Sequence, residues 1–190
     1  MSGFAYDRNA TNIAENPTFV AQASDVAIGN NKSMLSLVNT SSTVIVKIRE
    51  IYLVNAQNAA VTGVVGAFSL LRITGHSAGT AITAGMHDTN ETLDAGVTIR
   101  TGSTVSGEDA TIYRRWKFST DEWAQGAQDV ESMDHIITTA RPVFYQAINA
   151  KPITLRQNQG IHVKHTVNST AGSFDIVVIF TTEEANAYNS

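Results

Sequence analysis

Residues 44–55 read VIVKIREIYLVN, which is the strongest β-strand pattern in the chain. Side chains of a strand alternate between its two faces, so the even-numbered positions share one face. From Val44 to Ile48 all residues on that face are apolar. After Glu50 the apolar positions change parity and continue at Ile51. A β-bulge near Arg49 and Glu50 explains such a change, and so does a strand that passes from a solvated edge to a covered centre.

A second clear strand lies near the end of the sequence, where residues 173–182 read SFDIVVIFTT. The alternation predicts an inward face of four large apolar side chains: Phe174, Ile176, Val178 and Phe180. The apolar residues between them indicate that the opposite face is partly covered too. We therefore expect this strand to be central in its sheet.

Outside these two strands, further β-type segments are separated by turn residues. The turn sequence Gly29-Asn30-Asn31 precedes a strand over residues 32–39. Residues 153–156 and 160–167 are predicted to form a hairpin that closes through Gln157-Asn158-Gln159. The remaining candidates are residues 64–74, 81–86, 97–101 and 111–119, and in the last of these Ile112, Trp116 and Phe118 are expected to share a face.

Eight or more strands without an amphipathic helix predict an all-β fold, an antiparallel β-sandwich. The jelly roll is the predicted topology, and another open Greek-key sandwich is the alternative. We assign residues 18–184 to this sandwich and residues 185–190 to a C-terminal tail. Residues 1–17 are polar and are interpreted as an extended N-terminal arm, which either docks on a neighbouring molecule or is a frayed end.

The β pattern breaks between residues 121 and 149. A segment of this length inside a compact domain is usually functional or contains short elements of its own, so we expect a short helix or paired short strands. We also expect it to lie at an oligomer or shell contact. It contributes Trp123, Phe144 and Tyr145, and aromatic residues are enriched at interface hot spots. The alternative for Phe144 and Tyr145 is that they cap one end of the core.

Composition excludes several classes of function. Thirteen Lys and Arg stand against 17 Asp and Glu, so the net charge of −4 provides no general basic surface for nucleic acid. No apolar run reaches the roughly 18 residues of a membrane span, and residues 1–17 lack the apolar segment of a secretory signal. The chain has no cysteine, which excludes disulfides, thiolate metal ligands and a cysteine nucleophile. Synthesis in a cytoplasm is expected, with neither nucleic acid nor a membrane as partner.

Neither a metal nor a cofactor is predicted. His162 and His165 are three residues apart, a spacing that places them on opposite faces of a strand. Residues 87–94 form the densest cluster of oxygen ligands but lack the glycine and ligand positions of a calcium loop. A solvated acidic turn is the preferred interpretation, with an opportunistic cation as the alternative.

No catalytic residue is predicted, and the protein is not expected to be an enzyme. Residues 102–107 contain serines among glycines but not the spacing of a nucleophile elbow. Five carboxylates lie between residues 121 and 134, where a glycosidase acid pair is the one enzymatic alternative. Residues 113–117, YRRWK, mix basic and aromatic side chains. Alternation places Tyr113, Arg115 and Lys117 on one face, which indicates a strand with a charged outer face or a contact with an acidic protein.

Six blocks of the sequence form a further pattern: residues 29–39, 46–55, 68–74, 151–156, 160–164 and 174–178. Taken together, they resemble the small β-rich virion proteins of tailed bacteriophages that decorate or cement the head. These are strand-and-turn patterns, so the resemblance transfers no binding residue.

The resemblance implies a non-enzymatic virion protein that stabilises a capsid shell. It further implies a homotrimer that contacts the major capsid protein, is made in the host cytoplasm and resides on the capsid surface. A tail or head-tail connector component is one alternative. A carbohydrate-binding sandwich is another, in which Trp116, Trp123 or Tyr145 would stack on sugar rings. The candidate protein-contact residues are Phe4, Tyr6, Arg8, Trp123, Phe144 and Tyr145.

Overall fold

The computed structural model of the chain describes residues 16–56, 65–119, 144–145, 151–168 and 172–185. Every strand pair in these ranges is antiparallel, and the strands form two main sheets that pack against each other. The predicted all-β antiparallel sandwich is therefore confirmed. Among the residues just given, no helix is long and apolar enough to cross a membrane.

The described strands are, in chain order, β1 (Thr18–Ala27), β2 (Ser33–Asn39), β3 (Val44–Asn55), β4 (Val65–Ile73), β5 (Gly75–Ser77), β6 (Thr80–Ala81), β7 (Gly85–Met86), β8 (Val97–Thr101), β9 (Thr104–Ser106), β10 (Ile112–Ser119), β11 (Phe144–Tyr145), β12 (Ile153–Leu155), β13 (Gln159–His165) and β14 (Ser173–Glu184). The predicted arm, except for Asn16 and Pro17, and all of the tail beyond Ala185 lie outside the described residues.

Strand pairing follows a regular scheme. Sheet A has the order β3-β14-β1-β7, with β11 and β12 both pairing with the free side of β3. Sheet B has the order β10-β4-β13-β2-β8-β6, and β5 and β9 form a separate two-stranded ribbon. The first described strand thus pairs with the last, and β2 pairs with β13, β3 with β12, and β4 with β10.

The core lies between the two sheets and is centred on β14. Phe174, Ile176, Val178 and Phe180 are fully buried, and their strand runs between β3 and β1, as the alternation predicts. The Phe174 ring meets Phe68 of sheet B edge-on, with ring centroids 4.9 Å apart. On the same strand, Phe180 stacks on Phe19 at 5.6 Å. These ring contacts join the two sheets and the neighbouring strands of sheet A.

The predicted irregularity of β3 is confirmed as a β-bulge. Ile179 of β14 pairs with Glu50 while the next residue, Phe180, pairs with Ile48, so Arg49 is the extra residue. The bulge changes the parity of the strand and keeps both Ile48 and Ile51 in the core.

The predicted hairpin over residues 153–167 is wrong. β12 pairs with β3 in sheet A, whereas β13 pairs with β2 and β4 in sheet B. The turn between them crosses from one sheet to the other, with Asn158 at a φ of 59° and its amide donating to Asn39 O at 2.7 Å. A hairpin within one sheet and a connection between two sheets both show alternating strands joined by a short turn, so the sequence pattern does not distinguish them.

The segment between β4 and β10 extends both sheets on one side of the sandwich. Its strand β7 pairs with β1 and lengthens sheet A, while β8 and then β6 continue sheet B beyond β2. The ribbon of β5 and β9 belongs to the same segment. Because of this insertion, neither β1 nor β2 is the last strand of its sheet.

Candidate functional site

Strand β10 forms the longest sheet edge of the described chain. The other outermost strands, β6, β7, β11 and β12, have only two or three residues each, whereas β10 has eight. Among the described residues β10 pairs only with β4. A long edge strand presents unpaired backbone groups, and proteins normally keep such edges short or covered.

The side chains of β10 divide between core and solvent. Trp116 stands opposite Phe68 and stacks on it at 6.3 Å, so its indole packs against the core. Arg115 stands opposite Ser69 on the other face, and the predicted charged outer face is confirmed. Arg114 and Lys117 are exposed as well.

The expected phase of Ile112 with Trp116 is wrong. Ile112 pairs with Leu71 but Arg114 already pairs with Leu70, so Tyr113 is the extra residue of a bulge. Ile112 is 37% and Tyr113 45% exposed, and they are two of the three large hydrophobic residues that the described chain exposes. The start of β10 therefore offers apolar surface beside three cations.

A shallow groove of about 300 Å³ lies beside the start of β10. Arg72 crosses it: its Nε donates to the Tyr113 hydroxyl at 3.1 Å, and its Nη1 donates to Gln159 Oε1 at 3.2 Å. The Arg72 guanidinium also lies 5.6 Å from the centroid of the Tyr113 ring. The lining residues are Arg72, Ile73, Thr74, Gly107, Asp109, Tyr113 and Gln159.

The wall of the groove requires glycine at position 107. Gly107 has a φ of 59°, and a Cβ atom there would lie 2.1 Å from Thr74 Oγ1. Next to it, the Asp109 carboxylate accepts the Thr111 amide at 2.8 Å. This backbone hydrogen bond is the main cause that lowers the pKa of Asp109, and the nearby Arg72 charge acts in the same direction. The groove thus contains one anion and one cation.

A buried polar network fixes the ribbon to the outer face of sheet B. Ser36 Oγ of β2 lies 2.7 Å from His76 Nδ1 of the ribbon and 2.7 Å from Ser103 Oγ. His76 Nε2 in turn lies 2.8 Å from Thr98 Oγ1 of β8. Burial, followed by the charge of Arg100, lowers the pKa of His76. The imidazole thus joins the ribbon to β2 and β8 through two hydroxyl groups.

His162 extends this network toward the surface. Its Nδ1 lies 3.4 Å from Ser33 Oγ, and its Nε2 lies 3.1 Å from a carboxylate oxygen of Glu108, which also pairs with Lys164 at 2.8 Å. Burial lowers the pKa of His162 to about 4, although the Glu108 charge opposes the shift. Serine, histidine and glutamate are the groups of a hydrolytic triad. Here, however, Ser33 is only 5% and His162 only 1% exposed, so a substrate cannot reach either side chain.

His162, His165 and Asp94 each have protein neighbours that fix their positions. His162 faces the ribbon, whereas His165 lies beside Phe68 at 5.2 Å, on opposite faces of β13 as predicted. Asp94 accepts hydrogen bonds from Ser41, Thr43 and Gly96, and the Gly96 amide is the main cause that lowers its pKa. In the described ranges no three His, Asp or Glu side chains converge on a possible metal position.

The predicted contact residues are only partly covered by the structure. Phe4, Tyr6, Arg8 and Trp123 lie outside the described residues. Phe144 is half-buried and packs against the core, while Tyr145 follows it in β11, where the two pair with Ile51 and Glu50. The position of Phe144 agrees with the alternative role of capping the core. Trp116 does not offer the free ring that the carbohydrate alternative requires of it.

Neither the groove nor the polar network is predictable from the sequence pattern. Arg72, Asp109 and Gln159 come from three separate segments, which meet because β4 pairs with both β10 and β13. The one sequence feature that could indicate the groove is the presence of polar residues at strand ends, and such residues are common in all β proteins. Comparison with protein-family models, curated proteins and solved structures finds no significant match for this chain.

Proposed function

We propose that this chain is a non-enzymatic structural subunit that decorates and stabilises a bacteriophage capsid as a jelly-roll homotrimer. The strand order supports the topology: the pairing of β1 with β14, β2 with β13, β3 with β12 and β4 with β10 is that of a rolled hairpin. The resemblance of the strand-and-turn blocks supports the class of protein. The major capsid protein is the second proposed partner, and the capsid surface the proposed location.

The open edge at β10 is the observation that carries the assembly role. It combines eight residues of edge strand with the exposed Ile112 and with three cations, Arg114, Arg115 and Lys117. The rest of the chain has ten Lys and Arg against 17 Asp and Glu. The remainder of a second copy therefore carries an excess of negative charge, which is complementary in sign to this edge.

The same charges argue for a ring rather than a two-fold dimer. Two β10 edges that met across a two-fold axis would bring like charges together, which is unfavourable. A contact between β10 and a different, acidic face of the next copy avoids this repulsion. Such a heterologous contact forms a ring when the rotation between successive copies closes, and a trimer is the ring that the resemblance implies.

Charge reversal on β10 tests the assembly role. In the double variant Arg115→Glu with Lys117→Glu, we expect the association constant between copies to fall roughly tenfold to a hundredfold, because attraction becomes repulsion. Light scattering after size-exclusion chromatography measures the oligomer mass, and circular dichroism checks the fold. Lys151→Glu, an exposed cation elsewhere, is the matched control and should assemble normally. A wild-type protein that is monomeric at high concentration, and also on assembled shells, contradicts the proposal.

Location in the particle separates this proposal from the tail and connector alternatives. A cryo-electron microscopy map of the virion should place density of this sandwich on the capsid lattice. Density at the portal or along the tail would instead establish the alternative.

A further inference from the structure

We propose that the groove beside β10 binds a neutral saccharide. This inference goes beyond the assembly role, since the groove lies at the start of β10 and is built mainly from residues of other segments. Its volume of about 300 Å³ is at the lower end of small-molecule sites, which span roughly 300–1,000 Å³. A ligand of one or two sugar rings matches that size.

The polar groups that remain available form a mixed set of donors and acceptors. Within the described part of the chain, neither Arg72 Nη2 nor Gln159 Nε2 has a hydrogen-bond acceptor. The Asp109 carboxylate and the Thr74 hydroxyl oxygen are available as acceptors: the carboxylate is held by Thr111, and the hydroxyl donates to Ser106 O at 3.2 Å. A ligand with neighbouring hydroxyl groups, each able to donate and accept, satisfies both kinds of group.

The charges of the groove favour a neutral ligand. Arg72 and Asp109 are the two charged residues of the lining and have opposite signs, so the lining itself favours neither an anion nor a cation. Tyr113 adds the aromatic surface: the residue is 45% exposed, and the Arg72 guanidinium lies 5.6 Å from the centroid of its ring. The apolar face of a pyranose ring can pack on such a side chain while its hydroxyls reach the polar groups.

The pre-formed geometry supports binding without rearrangement. Gln159 Oε1 accepts both Arg72 Nη1 and the Arg156 amide, at 3.2 and 3.0 Å, so the amide side chain is oriented before a ligand arrives. The Asp109 amide donates to Arg72 O at 2.9 Å and fixes the segment that carries the carboxylate. Groups that are already ordered lose less entropy on binding.

The test is binding of the full-length protein to an array of neutral, acidic and amino oligosaccharides, followed by titration of the best ligand. We expect binding of neutral pyranose oligosaccharides. Tyr113→Ala and Asp109→Asn should each weaken it roughly tenfold or more, as expected for loss of a stacking side chain or a charged hydrogen-bond acceptor. Tyr113→Phe keeps the ring and should retain binding. Met86→Ala removes a similarly exposed apolar side chain on β7 and is the matched control.

Three results would overturn the inference: no neutral saccharide bound at millimolar concentration, a preference for acidic or amino sugars, or an affinity that both groove variants leave unchanged. Oligomer mass measured on the same samples separates this inference from the assembly role. Asp109→Asn lies outside β10 and should keep the wild-type mass while binding the sugar more weakly. The charge-reversed β10 variant should lose mass and still bind the sugar.

Discussion

Truncation of either buried phenylalanine of β14 should produce the largest loss of stability in this protein. For Phe174→Ala or Phe180→Ala we expect the free energy of unfolding to fall by about 3–5 kcal/mol, because each change leaves a cavity that the packed sheets cannot fill. Both side chains are fully buried and each contacts another aromatic ring, Phe68 for Phe174 and Phe19 for Phe180. Urea unfolding followed by circular dichroism measures the change.

Val177→Ala provides the control on the same strand. Val177 is half-buried on the opposite face of β14, so removing its methyl groups should cost about 1 kcal/mol. If both phenylalanine variants unfold at the wild-type urea concentration, the core assignment of β14 is wrong.

Acidification should cause the second large loss of stability. Unfolded His162 titrates near 6.5, whereas burial lowers its pKa to about 4 in the folded protein. Between these values the unfolded state binds more protons, so stability is complete above pH 6.5 and decreases as the pH falls toward 4. A shift of this size corresponds to roughly 3 kcal/mol. Burial and the Arg100 charge lower the pKa of His76 as well, which acts in the same direction.

The pH profile of the unfolding free energy, measured from pH 7 to pH 4, tests this expectation. His162→Gln removes the titrating group, so it should flatten most of the profile whatever its effect on absolute stability. His76→Gln should remove a smaller part. An unchanged slope in His162→Gln would show that other groups control the acid response.

The elements that sequence reasoning located correctly are those with a local cause. The parity change around Arg49 is visible in the sequence itself, because a bulge displaces every later apolar residue of β3 by one position. The bulge at Tyr113 has no such mark, since Ile112 and Trp116 keep the same parity and only the partner strand reveals the extra residue. The sequence also does not show which sheet β12 joins, because alternation indicates which side chains share a face but not which strand lies alongside.

The groove and the polar network depend on contacts between distant segments. Ser36, His76 and Ser103 are separated by dozens of residues and meet only when the ribbon folds onto sheet B. Single serines and histidines of this kind are frequent in polar strands, and nothing in their immediate sequence marks them as buried. Only the register of the paired strands, which the sequence does not state, places these three residues together.

The pairing of β1 with β14 has a consequence for synthesis on the ribosome. Thr18 pairs with Thr181, so the first described strand emerges long before its partner exists. Contacts between such distant segments raise the contact order, and proteins of high contact order fold slowly. During translation the apolar faces of β1 and β3 remain uncovered until β14 has been synthesised, and such exposed surfaces can aggregate. A nascent chain arrested before residue 173 should therefore bind chaperones. Sheet A should form completely only after β14 has left the ribosome and paired with β1 and β3.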